Sequence, residues 1–140
     1  IYSEINNNVT CSNYNLNIKK KKKEISSTEP ITSYINFLFD DKTTIKTKKM
    51  KNSKIDHYFE TITNSEMAGV KKPHKNIFDF ALSLANASKE ESLMIGDSYE
   101  ADIIGAQEAG IEAVFFNEQN IEVENPVLQV SHLLELKKIL

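Results

Sequence analysis

From about residue 60 onward the chain alternates between short apolar runs of strand length and longer segments with helical periodicity, and this alternation limits the fold more than any other feature. ETIT (60–63) reads as a short buried strand. Ile77, Phe78, Ala81, Leu82 and Ala85 then recur at the spacing of one apolar stripe on a helix, with Pro73 suited to its first turn. Leu93-Met94-Ile95 reads as the next strand. It is followed by a helix to about Ala109, and Gly110 stands where helices often end in a left-handed residue. Ala113 to Phe116 reads as a third strand. After a polar loop through Pro126, a last helix covers roughly His132 to Ile139 with Ser131 as its cap. Strands and helices in strict turn imply an α/β fold: a parallel sheet covered by helices, binding ligands at the carboxyl ends of its strands.

The first 30 residues have a different texture. They contain an Asn triplet, five consecutive lysines at 19–23 and a Ser/Thr/Pro finish, with few large apolar residues, so 1–30 reads as a low-complexity, disordered segment and 31–140 as the α/β domain. That domain opens on ITSYINFLF, a run of β-formers, and Lys46 to Lys54 reads as helical. Charge divides the same way. Residues 1–50 carry nine Lys against five acids, whereas 51–140 carry eight Lys against fifteen. A lysine run can meet nucleic acid or an anionic surface, but without Arg or interleaved aromatics this one reads as a solvated tail. No nucleic-acid or membrane partner is therefore expected. Cys11 is the only cysteine, which excludes an intrachain disulfide and a cysteine-based zinc site and fits a cytoplasmic setting. No apolar run is long enough for a spanning helix, and the chain begins with Ile1 rather than Met, as a fragment would.

Two motifs fall where this architecture collects functional groups. In MIGDSYEADIIGAQEAG (94–110), Gly96 allows a sharp turn at a strand end, Asp97 follows it into the crevice, and Asp102 lies about one helical turn further on. Two carboxylates at a strand end suit Mg²⁺, which takes few protein carboxylates plus a phosphate. Helix capping by Asp97 or Ser98 accounts for the same letters. In GVKKPHKNIF (69–78), Lys72 precedes Pro73 at a loop-to-helix junction where its ammonium would reach a phosphate; a solvated lysine is the alternative. The 25 positions from Lys72 to Asp97 hold one helix, one turn and one strand, which brings both to the same sheet edge.

The stretches KMKNSKIDHYFETITNSEMAGVKKPHKNIFDFAL and SLMIGDSYEADIIGAQEAGIEAVFFN resemble the carboxyl-terminal part of haloacid dehalogenase-like hydrolases, and within them the pyrimidine nucleotide 5′-phosphatases. The resemblance runs from about Lys48 to Leu140. It implies a partial three-layer, Rossmann-like sandwich, and an Mg²⁺-dependent phosphatase of small phosphate esters, nucleoside 5′-monophosphates in particular, acting through an aspartyl-phosphate. In it Lys72 would be the phosphate-stabilising catalytic lysine, Asp97 a metal ligand, and Asp102 a second ligand or its support.

The resemblance also exposes departures. No D-x-D-x-T nucleophile motif and no cap domain are visible, so the nucleophile strand at the sheet centre is expected to be missing. FDDKTTI (39–45) has Lys42 where the acid/base aspartate belongs, and it stands beside the segment where a Thr-Asn-Gly phosphate turn would fall, on Phe39-Asp40-Asp41. Thr63-Asn64-Ser65 matches that turn in letters but lies too near Lys72 to be it. The change of texture before about Ile45 fits a misjoined upstream reading. Three functions follow: an Mg²⁺-dependent phosphatase, an inactive remnant or binding module, and a phosphoacceptor signalling domain, which the order of Lys72 before Asp97 disfavours. A sheet lacking its central strand would expose apolar edges and invite self-association, unless Ile31 to Phe39 fills the gap.

Overall fold

The computed structural model describes residues 15–19, 35–39 and 61–139, together with 51, 52, 54, 57 and 59. Six strands form one sheet: β1 (Asn15–Lys19), β2 (Ile35–Phe39), β3 (Thr61–Asn64), β4 (Ser92–Gly96), β5 (Glu112–Phe116) and β6 (Gln129–Val130), in the spatial order β3-β2-β1-β4-β5-β6. The pairs β2–β3, β4–β5 and β5–β6 are parallel, as the alternation implies. β1 departs from this, running antiparallel to both β2 and β4, with Leu16 opposite Phe37 on one side and Ile95 on the other.

β1 corrects two expectations. Residues 15–19 lie inside the segment read as disordered, yet they form a strand; the rest of 1–30 lies outside the described residues. The signal was local: Leu16 and Ile18 alternate with Asn15, Asn17 and Lys19, a period of two that the neighbouring lysine run obscured. The central gap is likewise closed by β1, not by the 31–39 segment, which supplies the next strand out as β2. β2 and β4 are both paired along their inner edges by β1.

Period-two alternation in β4 and β5 divides the core into two layers. Met94, Ala113 and Phe115 face one side, where Ile77, Phe78 and Leu82 from helix α2 (Lys75–Leu84) and Ile103, Ala106 and Ala109 from the helical segment after β4 pack against them. Leu93, Ile95 and Val114 face the other side, with Val130 and Leu136. Leu136 comes from a 3₁₀ helix, Leu133–Lys138. Helices on both faces of one sheet make the three-layer sandwich. The stripe on α2 behaves as its spacing requires: Ile77 and Phe78 are fully buried. Each such side chain contributes roughly 1.5–3 kcal/mol relative to exposure.

Local signals held less well at element ends. Pro73 stands before the helix, not in its first turn; His74 is the N-cap and accepts a hydrogen bond from Asn76 N. The carboxyl-terminal helix is capped at His132 without a side-chain bond, while Ser131 Oγ reaches Glu135 Oε1 at 3.3 Å. The loop expected after β3 contains a one-turn helix, α1 (Ser65–Ala68), whose first turn is capped by Asn64 Oδ1 accepting from Met67 N. Most of the helix expected at 46–54 lies outside the described residues; of those described there, 51 and 52 are helical.

Candidate functional site

The site is built at the carboxyl end of β4, a strand buried along its whole length. After Gly96 the chain leaves the sheet through Asp97 and enters a π-helical turn, Tyr99–Ile104, that passes into α3 (Gly105–Glu108). Ser98 is the cap: its Oγ accepts from Ala101 N at 3.3 Å. Capping thus explains the serine and leaves both aspartates for other work. Ser98 O accepts from Asp102 N at 2.9 Å and from Ile103 N at 3.3 Å, which widens the first turn. In that turn Asp102 points back over the strand end, and its Oδ2 accepts from Ser98 N at 3.0 Å.

Two glycines permit the close approach. A Cβ on Gly96 would lie 2.4 Å from Asp102 Cβ and 2.5 Å from its Oδ2, so only glycine leaves room for the carboxylate. A Cβ on Gly105 would lie 2.8 Å from Pro73 Cβ and 3.1 Å from Phe78 Cε2. The helix carrying Asp102 therefore sits directly on the Lys72-Pro73 corner, whose peptide bond is cis. As a result Lys72 Nζ donates to Asp102 Oδ1 at 2.7 Å, across 30 positions of sequence. The side chains are 3% and 0% exposed, so this is a buried ion pair rather than a surface contact.

Asp97 is half-buried where the chain leaves the end of β4 and forms one wall of a pocket of about 190 Å³ that β5 and the loop after it complete. Of the three residues singled out in the sequence, Lys72 and Asp102 are brought into contact and Asp97 is set at the strand end next to them. Among the described residues no three His, Cys, Asp or Glu side chains cluster tightly enough to hold a metal by themselves. The donor set fits a cation of the magnesium type only in a lean form, with no more protein ligands than the carboxylates of Asp97 and Asp102 and the remaining positions left to phosphate and water. The sequence reading missed Asn117, which is buried and closes the loop after β5. Its Nδ2 donates to Ile121 O and to Gln129 Oε1, and its Oδ1 accepts from Ile121 N, all within 2.9 Å. An asparagine directly after an apolar strand was the available signal.

A sequence profile of the haloacid dehalogenase-like hydrolases matches residues 6–116, beginning well before Lys48, where the resemblance read from the sequence starts. Glyceraldehyde 3-phosphate phosphatase of Pyrococcus abyssi is 42% identical over 69 residues, covering 49% of this chain and 29% of that protein. Pyrimidine 5′-nucleotidase YjjG of Escherichia coli is 36% identical over 96 residues, covering 66% of this chain and 43% of that protein. Among solved structures, the HAD-hydrolase YfnB of Bacillus subtilis, in a form bound to magnesium, superposes with a TM-score of 0.70 at 30% identity, covering 74% of this chain and 47% of that one. The chain thus spans less than half the length of these relatives.

Proposed function

For a chain that belongs to the haloacid dehalogenase-like hydrolases, we propose the Lys72, Asp97 and Asp102 cluster as the phosphate- and Mg²⁺-binding half of a phosphomonoesterase site. The observation that carries the reading is the buried 2.7 Å pair of Lys72 and Asp102, with Asp102 packed over the strand end from which Asp97 leaves the sheet. An ammonium held in low dielectric by a fixed carboxylate keeps its charge at one point, ready for a phosphoryl oxygen, and needs no reorganisation when the ester arrives. Asp102 acts through Lys72 and through Ser98 N, orienting the turn that carries Asp97. Mg²⁺, when bound at Asp97, supplies positive charge to the phosphoryl oxygens. The substrate in this reading is a small phosphate ester in the cytoplasm, most specifically a nucleoside 5′-monophosphate, by likeness to pyrimidine 5′-nucleotidases.

One observation favours a second reading, binding without turnover. The central seat of the sheet, next to β4, is taken by β1, which runs against its neighbours and contains no aspartate. A covalent route needs a nucleophilic oxygen there. Phosphate release from uridine 5′-monophosphate and from p-nitrophenyl phosphate, with and without Mg²⁺, separates the two. The first reading expects Mg²⁺-dependent release that Asp97→Asn and Lys72→Ala abolish. The second expects Mg²⁺-dependent binding of inorganic phosphate without release. Release that ignores both substitutions refutes the assignment of the site.

A further inference from the structure

The pocket beside Asp97 has features that phosphate and metal binding do not use. Its floor is Phe115, 1% exposed, whose ring meets Tyr99 edge-on at 5.7 Å between centroids. Its sides are Phe116 and the 48%-exposed Ile121, and its rim carries the exposed Glu118 and Gln119. The wall is held in shape twice over. Asn117 clamps both the N–H and the C=O of Ile121, and Tyr99 Oη lies 3.3 Å from Asn125 N and 3.4 Å from Asn125 O. Asn120 makes the intervening turn at φ 51°. A wall fixed in advance loses little entropy when a ligand settles on it.

The lining chemistry selects the ligand. Phe116 and Ile121 offer apolar surface for C–H groups, while Glu118 and Gln119 offer oxygen acceptors for hydroxyl donors. A volume of 190 Å³ corresponds to about six waters at roughly 30 Å³ each, the bulk of a short polyol and below the usual range for a drug-sized ligand. Asp97 lies on the boundary of this pocket, so a phosphate held at Asp97 would have its carbon chain within reach of the rim.

We propose that the pocket formed by Asp97, Phe116, Glu118, Gln119 and Ile121 is a subsite for the hydroxylated carbon portion of a phosphate ester, with Asn117 as its positioning residue. This rests on the phosphate-site reading above. The same hydroxyl chemistry is found in a glyceryl chain and in a ribose, so both are tested.

The experiment follows backbone amide shifts of the ¹⁵N-labelled chain with Mg²⁺ while inorganic phosphate, glycerol 1-phosphate or ribose 5-phosphate is added. The expected result is that inorganic phosphate moves Gly96 to Ser98, and that one or both esters move Phe116 to Ile121 as well and bind more tightly. Whichever ester gains more identifies the source. Glu118→Ala should reduce the preference for that ester over phosphate by about tenfold, the worth of one charge-assisted hydrogen bond. If phosphate binds at Gly96 to Ser98 and neither ester adds shifts at 116–121, the subsite is refuted and the phosphate site stands. If phosphate moves nothing near Asp97, the phosphate-site reading falls and the subsite with it.

Discussion

Replacing Lys72 by Met removes the ammonium and leaves the Asp102 carboxylate in a place with no solvent exposure. Breaking a buried ion pair from one side costs about 3–5 kcal/mol, because the remaining charge stays desolvated without its partner. Unfolding entropy of roughly 2.1 cal/mol/K per residue makes this about 10–17 °C in Tm for a chain of 140 residues. Asp102→Asn by itself should also destabilise, since it strands the buried Lys72 ammonium, although its carbonyl oxygen can still accept from Ser98 N. The double variant is the decisive arm. With both charges gone it should be more stable than Lys72→Met by about 2 kcal/mol, a coupling that urea melts resolve if the m-values agree. A Lys72→Met variant within about 0.5 kcal/mol of the parent chain, or two effects that simply add, would refute the claim that the pair is buried and coupled.

Other perturbations follow from the same geometry. Gly96→Ala places a Cβ 2.4 Å from Asp102 Cβ and must push the carboxylate off the strand end, so a loss of about 1–3 kcal/mol and of phosphate binding is expected by melting and titration. Thr63 Oγ1 is fully buried with no hydrogen-bond partner among the described residues, so Thr63→Val should be neutral or stabilising by up to about 1 kcal/mol in the same melts. On the surface, the hydrogen bond from Lys75 lowers the Asp79 pKa, and Lys89 lowers it further. A lowered carboxylate pKa stabilises the fold above the unfolded value near 3.8 and loses that contribution as pH falls below it. Asp79→Asn should therefore flatten a small acid-side slope of stability, and added salt should shrink the difference because the pair is exposed.

The layers of the fold were legible where the physics is local. The stripe on α2, the buried runs of β4 and β5, and Gly110 at a positive φ each follow from periodicity or backbone preference over a few residues. β1 and β6 were not legible, for different reasons. β6 has two residues, too few for any period to register. β1 is embedded in an Asn- and Lys-rich segment whose composition argues for solvation, and its place is set by pairing with strands that lie 20 and about 80 positions away.

The site divides in the same manner. Residue types and spacing identified Lys72, Asp97 and Asp102 as candidates, but which oxygen meets which donor depends on two contacts that no spacing contains. These are Asp102 over Gly96 and Pro73 against Gly105. The wide π-turn that aims Asp102 backward is equally invisible in a sequence that reads as ordinary helix. Asn117 went unnoticed because its role is fixed by a loop and a strand that come after it in the chain.

The central claim is that one divalent cation and one phosphate share the place where Asp97 leaves β4 beside the Lys72–Asp102 pair. Mn²⁺, a paramagnetic substitute for Mg²⁺, broadens the amide signals of nearby residues and so reports its own position. In the presence of inorganic phosphate, broadening is predicted at Gly96 to Ser98 and around Lys72, and it should disappear in Asp97→Asn. Broadening centred elsewhere, or unchanged by that substitution, would contradict the account.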